Sequence, residues 1–166
     1  MSIQWMRVVV DGAVLSALAT LVILLSLRAN PRIWLNDFPA DIREALPPKS
    51  EAEKRQSLWW GLPLFAILLG GPLVSTLLLE RQSAAPPGFA SLFVHAYAVA
   101  FAFNLVDLIV IDWLIICAWT PRWLVMAGTE GMAGYSNYRH HFRGFIIGCV
   151  ASAVFALPAA LLVYLT

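Results

Sequence analysis

Residues 89–119 read FASLFVHAYAVAFAFNLVDLIVIDWLIICAW, an apolar run interrupted by His95, Asn104, Asp107 and Asp112. A stretch this long is a membrane span, because about 20 apolar residues cross a hydrocarbon core roughly 30 Å thick. Inside such a span a carboxylate is costly, from about 2.5 kcal/mol upward at the bilayer centre. Acidic residues so placed face a protein interior or a wet cavity and mark functional sites by default.

Working outward, residues 8–27, 58–79 and 144–165 are three further spans of the same kind. The composition agrees: of 166 residues, 60% are hydrophobic and 13% charged, whereas soluble domains carry about a quarter charged residues. Irregular backbone cannot face lipid. The expectation is therefore an all-α protein, one integral-membrane domain over 1–166 built as a four-transmembrane-helix bundle. The first span reads as retained rather than as a cleaved signal. Only Arg7 precedes it, its apolar stretch is long, and Arg28-Ala29-Asn30-Pro31 is a poor cleavage site.

Arg28, at the end of the first span, and Arg32, Arg43, Lys49, Lys54 and Arg55 of the loop 29–57 lie on one side, with Arg122, Arg139 and Arg143 of the loop 120–143. Outside the spans, the opposite side holds only Arg7 and Arg81. The positive-inside rule then predicts both loops in the cytoplasm and both termini outside, in a multi-pass inner-membrane protein. Cys117 and Cys149 lack CxxC spacing and fall on the reducing side, so packing is their expected role.

Within the first loop, Pro39 is placed to open a short helix through Leu46, stopped by Pro47-Pro48. Ser50-Glu51-Ala52-Glu53 is a capping-box pattern that starts the helix of the second span, with Trp59-Trp60 at the headgroup level. Pro72 and Pro158 each predict a local kink. Gly144, Gly148, Ser152, Ala156 and Ala160 recur every fourth residue and predict a close packing seam, either to another span or to a second copy in a homo-oligomer.

The candidate site is Asn104, Asp107 and Asp112 with Arg122, Arg139, His140 and Arg143 of the following loop. At about 100° per residue, Asp107 and Asp112 fall about 60° and 80° to either side of Asn104, and so about 140° apart. One polar sector can contain all three, but the spacing does not support a shared-proton dyad and leaves two sites that share Asn104. It puts His95 on the far side from Asn104. Asp112 is expected to pair with Arg139 or Arg143, since intramembrane charges pair. The arginines suit anionic lipid headgroups. His140 and His141 have no HExxH or HxxxH spacing, so neither a metal nor another cofactor is predicted. The partners expected are the lipid bilayer, anionic lipid headgroups and, through the small-residue seam, a second copy of the chain, with no nucleic acid.

Arg139-His140-His141-Phe142-Arg143-Gly144 resembles, over that stretch alone, the RHPxYxG segment of membrane-bound isoprenylcysteine and phospholipid methyltransferases. His141 stands in place of the proline, Arg143 in place of the tyrosine, and the glycine comes one residue early, so no catalytic role carries across. Two functional expectations follow from the residues themselves. The first is a non-enzymatic membrane component or small transporter-like subunit with a polar site on the third span. The alternative is a membrane enzyme acting on a lipid or isoprenoid headgroup at the cytoplasmic face.

Overall fold

The structure, a computed structural model, describes residues 4–166. Four helices are long and apolar enough to cross a membrane: α1 (Trp5–Ala29), α3 (Glu51–Gln82), the third span (Phe89–Trp119) and α5 (Tyr138–Tyr164). A five-residue helix, α2 (Ala40–Glu44), lies in the first loop. The third span begins as α4 (Phe89–Val106) and continues as a π-wound segment (Asp107–Trp119). This is the polytopic all-α architecture that hydropathy predicts. With an even number of spans, both termini share one face, the terminal face, and the loops 29–57 and 120–143 share the other, the loop face.

Both α3 and α4 pack against each of the other three spans, while α1 and α5 flank that central pair. The small-residue stripe of α5 meets spans of the same chain: Gly148 lies against Asn104, Ala156 against Ala96, and Ala160 in a cluster with Leu79 and Leu92. Lipid-facing positions such as Val150, Val154 and Leu157 stay exposed, as apolar side chains in a bilayer can. Pro63 and Pro72 lie inside α3 and Pro158 inside α5 without ending either helix. Thr76 donates to the Pro72 carbonyl at 2.7 Å.

The loop face is folded rather than merely solvated. Pro39 caps α2 from just outside it. Ser50 and Glu53 form the expected capping box at the start of α3. Arg32 reaches back to Glu53 at 2.6 Å and to the Pro47 carbonyl at 3.0 Å, and Lys49 and Ser57 both donate to the Ile33 carbonyl. The second loop is pinned over the first. Asp41 accepts from the Gly134 N–H at 2.8 Å, Phe38 meets Tyr135 edge-on, and the Tyr135 hydroxyl accepts from the Met126 N–H at 3.0 Å. Leu124, Met126 and Tyr135 are thereby buried with Ile23, Leu27, Ile111 and Ile116 of the spans. Each such side chain removed from water contributes about 1.5–3 kcal/mol. The two loops form a lid whose core is continuous with that of the bundle.

Candidate functional site

Beneath this lid, at the loop face, lies a cavity of about 640 Å³, within the range of small-molecule sites. Its lower walls are apolar, with Leu64, Leu68, Phe103, Leu108 and Ile111. Its polar wall gathers Asp37, Asp107, Asp112, His140, His141 and Arg143. A second cavity of about 220 Å³ adjoins it, sharing Leu68, Phe103, Asn104 and Gly148, and extends past Pro72, Ala100 and Ala156. The whole is amphipathic along its length, polar at the loop face and apolar toward the middle of the bundle.

The winding of the third span explains how two aspartates five residues apart come to line one cavity. At its end, the Thr120 N–H bonds the Ile115 carbonyl at 2.9 Å, an i→i+5 contact, which is the π-helical pattern. The wider turn advances less per residue than an α-helix, so residues five apart return nearer to the same face. The expectation that Asp107 and Asp112 belong to separate sites rested on α-helical winding, and the winding here is different. Such π segments occur frequently at functional sites. The segment closes on Thr120, which takes a left-handed backbone (φ 43°, ψ 63°), a strained conformation for a β-branched residue.

Asp112 pairs with neither arginine. Its Oδ1 lies 2.9 Å from His141 Nδ1, and the His141 side chain is 7% exposed. This corrects the expected pairing with Arg139 or Arg143. His141 opens α5 one turn in, after Asn137 caps that helix through the His140 N–H, and so faces the third span. Arg139 and Arg143 lie on exposed positions of the same helix. A carboxylate only accepts hydrogen bonds, so Nδ1 carries the imidazole hydrogen and Nε2 keeps its lone pair. That Nε2 is buried and has no hydrogen-bond partner among the described residues. Most buried polar atoms find one.

Around this pair, His140 Nε2 lies 3.0 Å from the Asp37 carbonyl oxygen. Asp37 stands at the exposed rim, yet crowding by protein pushes its carboxyl above the usual carboxylate range. Lys49 opposes that shift, Asp112 adds to it, and His140 opposes it. Asn104 donates to the Phe145 carbonyl at 3.0 Å and to Cys149 Sγ at 3.3 Å, holding α4 to α5 between the two cavities. Among the described residues, no set of three His, Cys, Asp or Glu side chains is placed to hold a metal ion.

Of the residues singled out in the sequence, Asn104, Asp107, Asp112, His140 and Arg143 line the cavity. Arg122 and Arg139 are exposed and do not line it. Asp37 and His141 join the site without having been selected by spacing. At the other end of the bundle, His95 is fully buried against Ser75.

The fold defines a polytopic α-helical membrane protein with an amphipathic cavity that opens at the loop face. No protein-family model, curated protein or solved structure matches the chain.

Proposed function

We propose that the cavity takes one amphipathic, lipid-like molecule and presents its polar head to the Asp112–His141 pair, as a lipid- or isoprenoid-headgroup-active enzyme requires. The observation that carries this reading is the buried, unpartnered Nε2 of a histidine whose other nitrogen is held by a carboxylate. That arrangement is the general-base half of nucleophilic and acid–base sites. The carboxylate fixes the tautomer and stabilises the imidazolium formed when Nε2 takes a proton. The apolar walls accommodate a chain, and the adjoining 220 Å³ extends them.

The chemistry of the head follows from the wall. An Nε2 lone pair calls for a head with hydrogen-bond donors, a hydroxyl or an amine. Arg143 at the rim is the cation available to a phosphate. In this reading, His141 removes a proton from that hydroxyl or amine and Asp112 holds the ring in place.

The test is photo-crosslinking in vesicles of phosphatidylethanolamine and phosphatidylglycerol that contain a phospholipid with a diazirine on its acyl chain. Crosslinks are expected at Leu64, Phe103 and Ile111, and Leu64→Trp, which fills the cavity, should remove them. Crosslinks confined to outward residues such as Val150 and Leu157, unchanged by Leu64→Trp, would overturn the proposal.

One observation favours a second reading, a transporter-like component that handles protons or cations. Three carboxylates, Asp37, Asp107 and Asp112, converge on a wall with a single arginine. In that case Asp107→Asn alters ion flux in proteoliposomes while lipid crosslinking stays intact.

A further inference from the structure

A second buried polar cluster lies in the half of the bundle nearer the terminal face, and the cavity chemistry makes no use of it. Ser75 of α3 sits between two partners. Its Oγ is 2.5 Å from Asp11 Oδ2 of α1 and 2.7 Å from His95 Nε2 of α4. Ser75 is 4% and His95 0% exposed. Arg7 closes the outer end, with Nε 3.4 Å from Asp11 Oδ2 and Nη1 donating to Gln82 Oε1 at 2.9 Å.

Hydrogen-bond bookkeeping fixes the protons. An ionised Asp11, paired with Arg7, only accepts, so the single Ser75 hydrogen points to Asp11. His95 Nε2 must then donate to Ser75 Oγ, which leaves Nδ1 as the bare nitrogen. Nδ1 is buried and has no partner among the described residues. The order of groups also excludes a hydrolase triad, in which the carboxylate orients the histidine and the serine hydrogen goes to the ring. Here the carboxylate holds the serine.

We propose that Asp11, Ser75 and His95 form an intramembrane proton-binding relay, loaded at His95 Nδ1 and ending on the Arg7–Asp11 pair. A proton from water forms a bond to Nδ1. The Nε2 hydrogen passes to Ser75 Oγ as the Ser75 hydrogen passes to Asp11 Oδ2. The imidazole returns to neutrality as the other tautomer, Asp11 becomes a neutral acid, and Arg7 loses its counter-charge. No electrons move. The charged groups acting on His95 are Asp11 and Arg7, both from α1, while α3 contributes the neutral Ser75 and Gln82. The relay stands one turn beyond the second cavity, since Pro72, which lines that cavity, is three residues before Ser75. A clasp that only held three helices together would have no use for a ring nitrogen left bare, since leaving a buried polar atom unpaired is costly.

The test is long-range ¹H–¹⁵N NMR of histidine-labelled protein in nanodiscs between pH 4 and 9, with His95 assigned by its loss in His95→Gln. At high pH the wild type should show His95 as the Nε2–H tautomer, and acidification should reversibly fill Nδ1. At the pH where half of the wild type carries both ring hydrogens, Asp11→Asn should reduce that fraction about fivefold, the effect of losing one unit of charge stabilisation. An Nδ1–H tautomer in the wild type at high pH, a ring that keeps one state across the range, or a titration unmoved by Asp11→Asn would each overturn the relay. The tautomer and the titration are read on the wild type, so they stand whether or not a variant folds.

Discussion

His141 gives its Nδ1 hydrogen to Asp112 across 2.9 Å, tying the first turns of α5 to the π-wound half of the third span. The contact holds two spans together and leaves the second ring nitrogen of this cavity-lining residue buried and, among the described residues, unpartnered. Structure and chemistry therefore make different demands on Asp112, and substitutions can separate them.

Asp112→Ala removes the acceptor and leaves the His141 Nδ1 hydrogen unpaired. The expected loss of stability is about 1–3 kcal/mol. Asp112→Asn keeps an acceptor oxygen at the same place and should cost less than half as much. Unfolding in mixed micelles measures both, and a cycle with His141→Ala should return a coupling of about 0.5–3 kcal/mol.

Gly148 and Gly144, one turn apart, should respond in opposite ways. A Cβ at Gly148 would run into the Asn104 amide, displacing the bond that Asn104 gives to the Phe145 carbonyl. Gly148→Ala should destabilise by about 1–3 kcal/mol, as overpacking does. At Gly144 nothing stands in the way of a Cβ. Gly144→Ala should be neutral or stabilising by up to about 1 kcal/mol, the difference in helix propensity. The same unfolding assay distinguishes the two.

The legibility of the fold and of the site differed for physical reasons. Hydropathy alone places the spans, because crossing a bilayer demands long apolar runs whatever the packing, and the Ser50–Glu53 box marks its helix start by local chemistry. The site depends on rotation about a helix axis. For Asp107 and Asp112 that rotation is set by i→i+5 winding, which apolar residues such as Leu108, Ile109 and Val110 do not advertise. His141 rather than Arg139 or Arg143 meets Asp112 because adjacent positions on α5 differ by about 100°, a difference visible only once α5 is docked. Asp11 is legible as a carboxylate inside the 8–27 span. Ser75 is not, since serines are unremarkable in membrane helices.

Two carboxyls outside the spans should give stability opposite pH dependences. Hydrogen bonds from Arg32 and then Ser50 hold Glu53 down to about 2 from an ordinary 4.5. Its contribution is complete above the ordinary value and is lost as pH falls from 4.5 toward 2. Glu53→Gln should therefore cost about 1 kcal/mol at pH 7, the worth of a helix cap, and nothing near pH 2. Asp37 is raised, so the folded state holds its proton more tightly and stability declines as pH rises from the ordinary carboxylate value through the raised one. Asp37→Asn should remove that decline. Unfolding curves across pH 2–8 read both effects.

Thr120 bonds the Ile116 carbonyl through Oγ1 at 2.7 Å while holding a left-handed backbone. Asparagine tolerates that conformation better. Thr120→Asn should be neutral or stabilising by up to about 1 kcal/mol, a fraction of the strain such residues store. Thr120→Val, which keeps the branch and loses the hydroxyl, should destabilise by about 1 kcal/mol. Thermal unfolding of the pair checks the balance.

Native mass spectrometry of the protein released from nanodiscs of phosphatidylethanolamine and phosphatidylglycerol reads whether an amphipathic ligand is seated with its head at His141. One retained lipid per chain is expected in the wild type. Occupancy should fall about tenfold or more in Leu64→Trp, which fills the chain-binding walls, and in His141→Ala, where losing the polar contact costs about 1.4 kcal/mol. Equal retention by all three proteins, or no retained lipid in any of them, would contradict that seating.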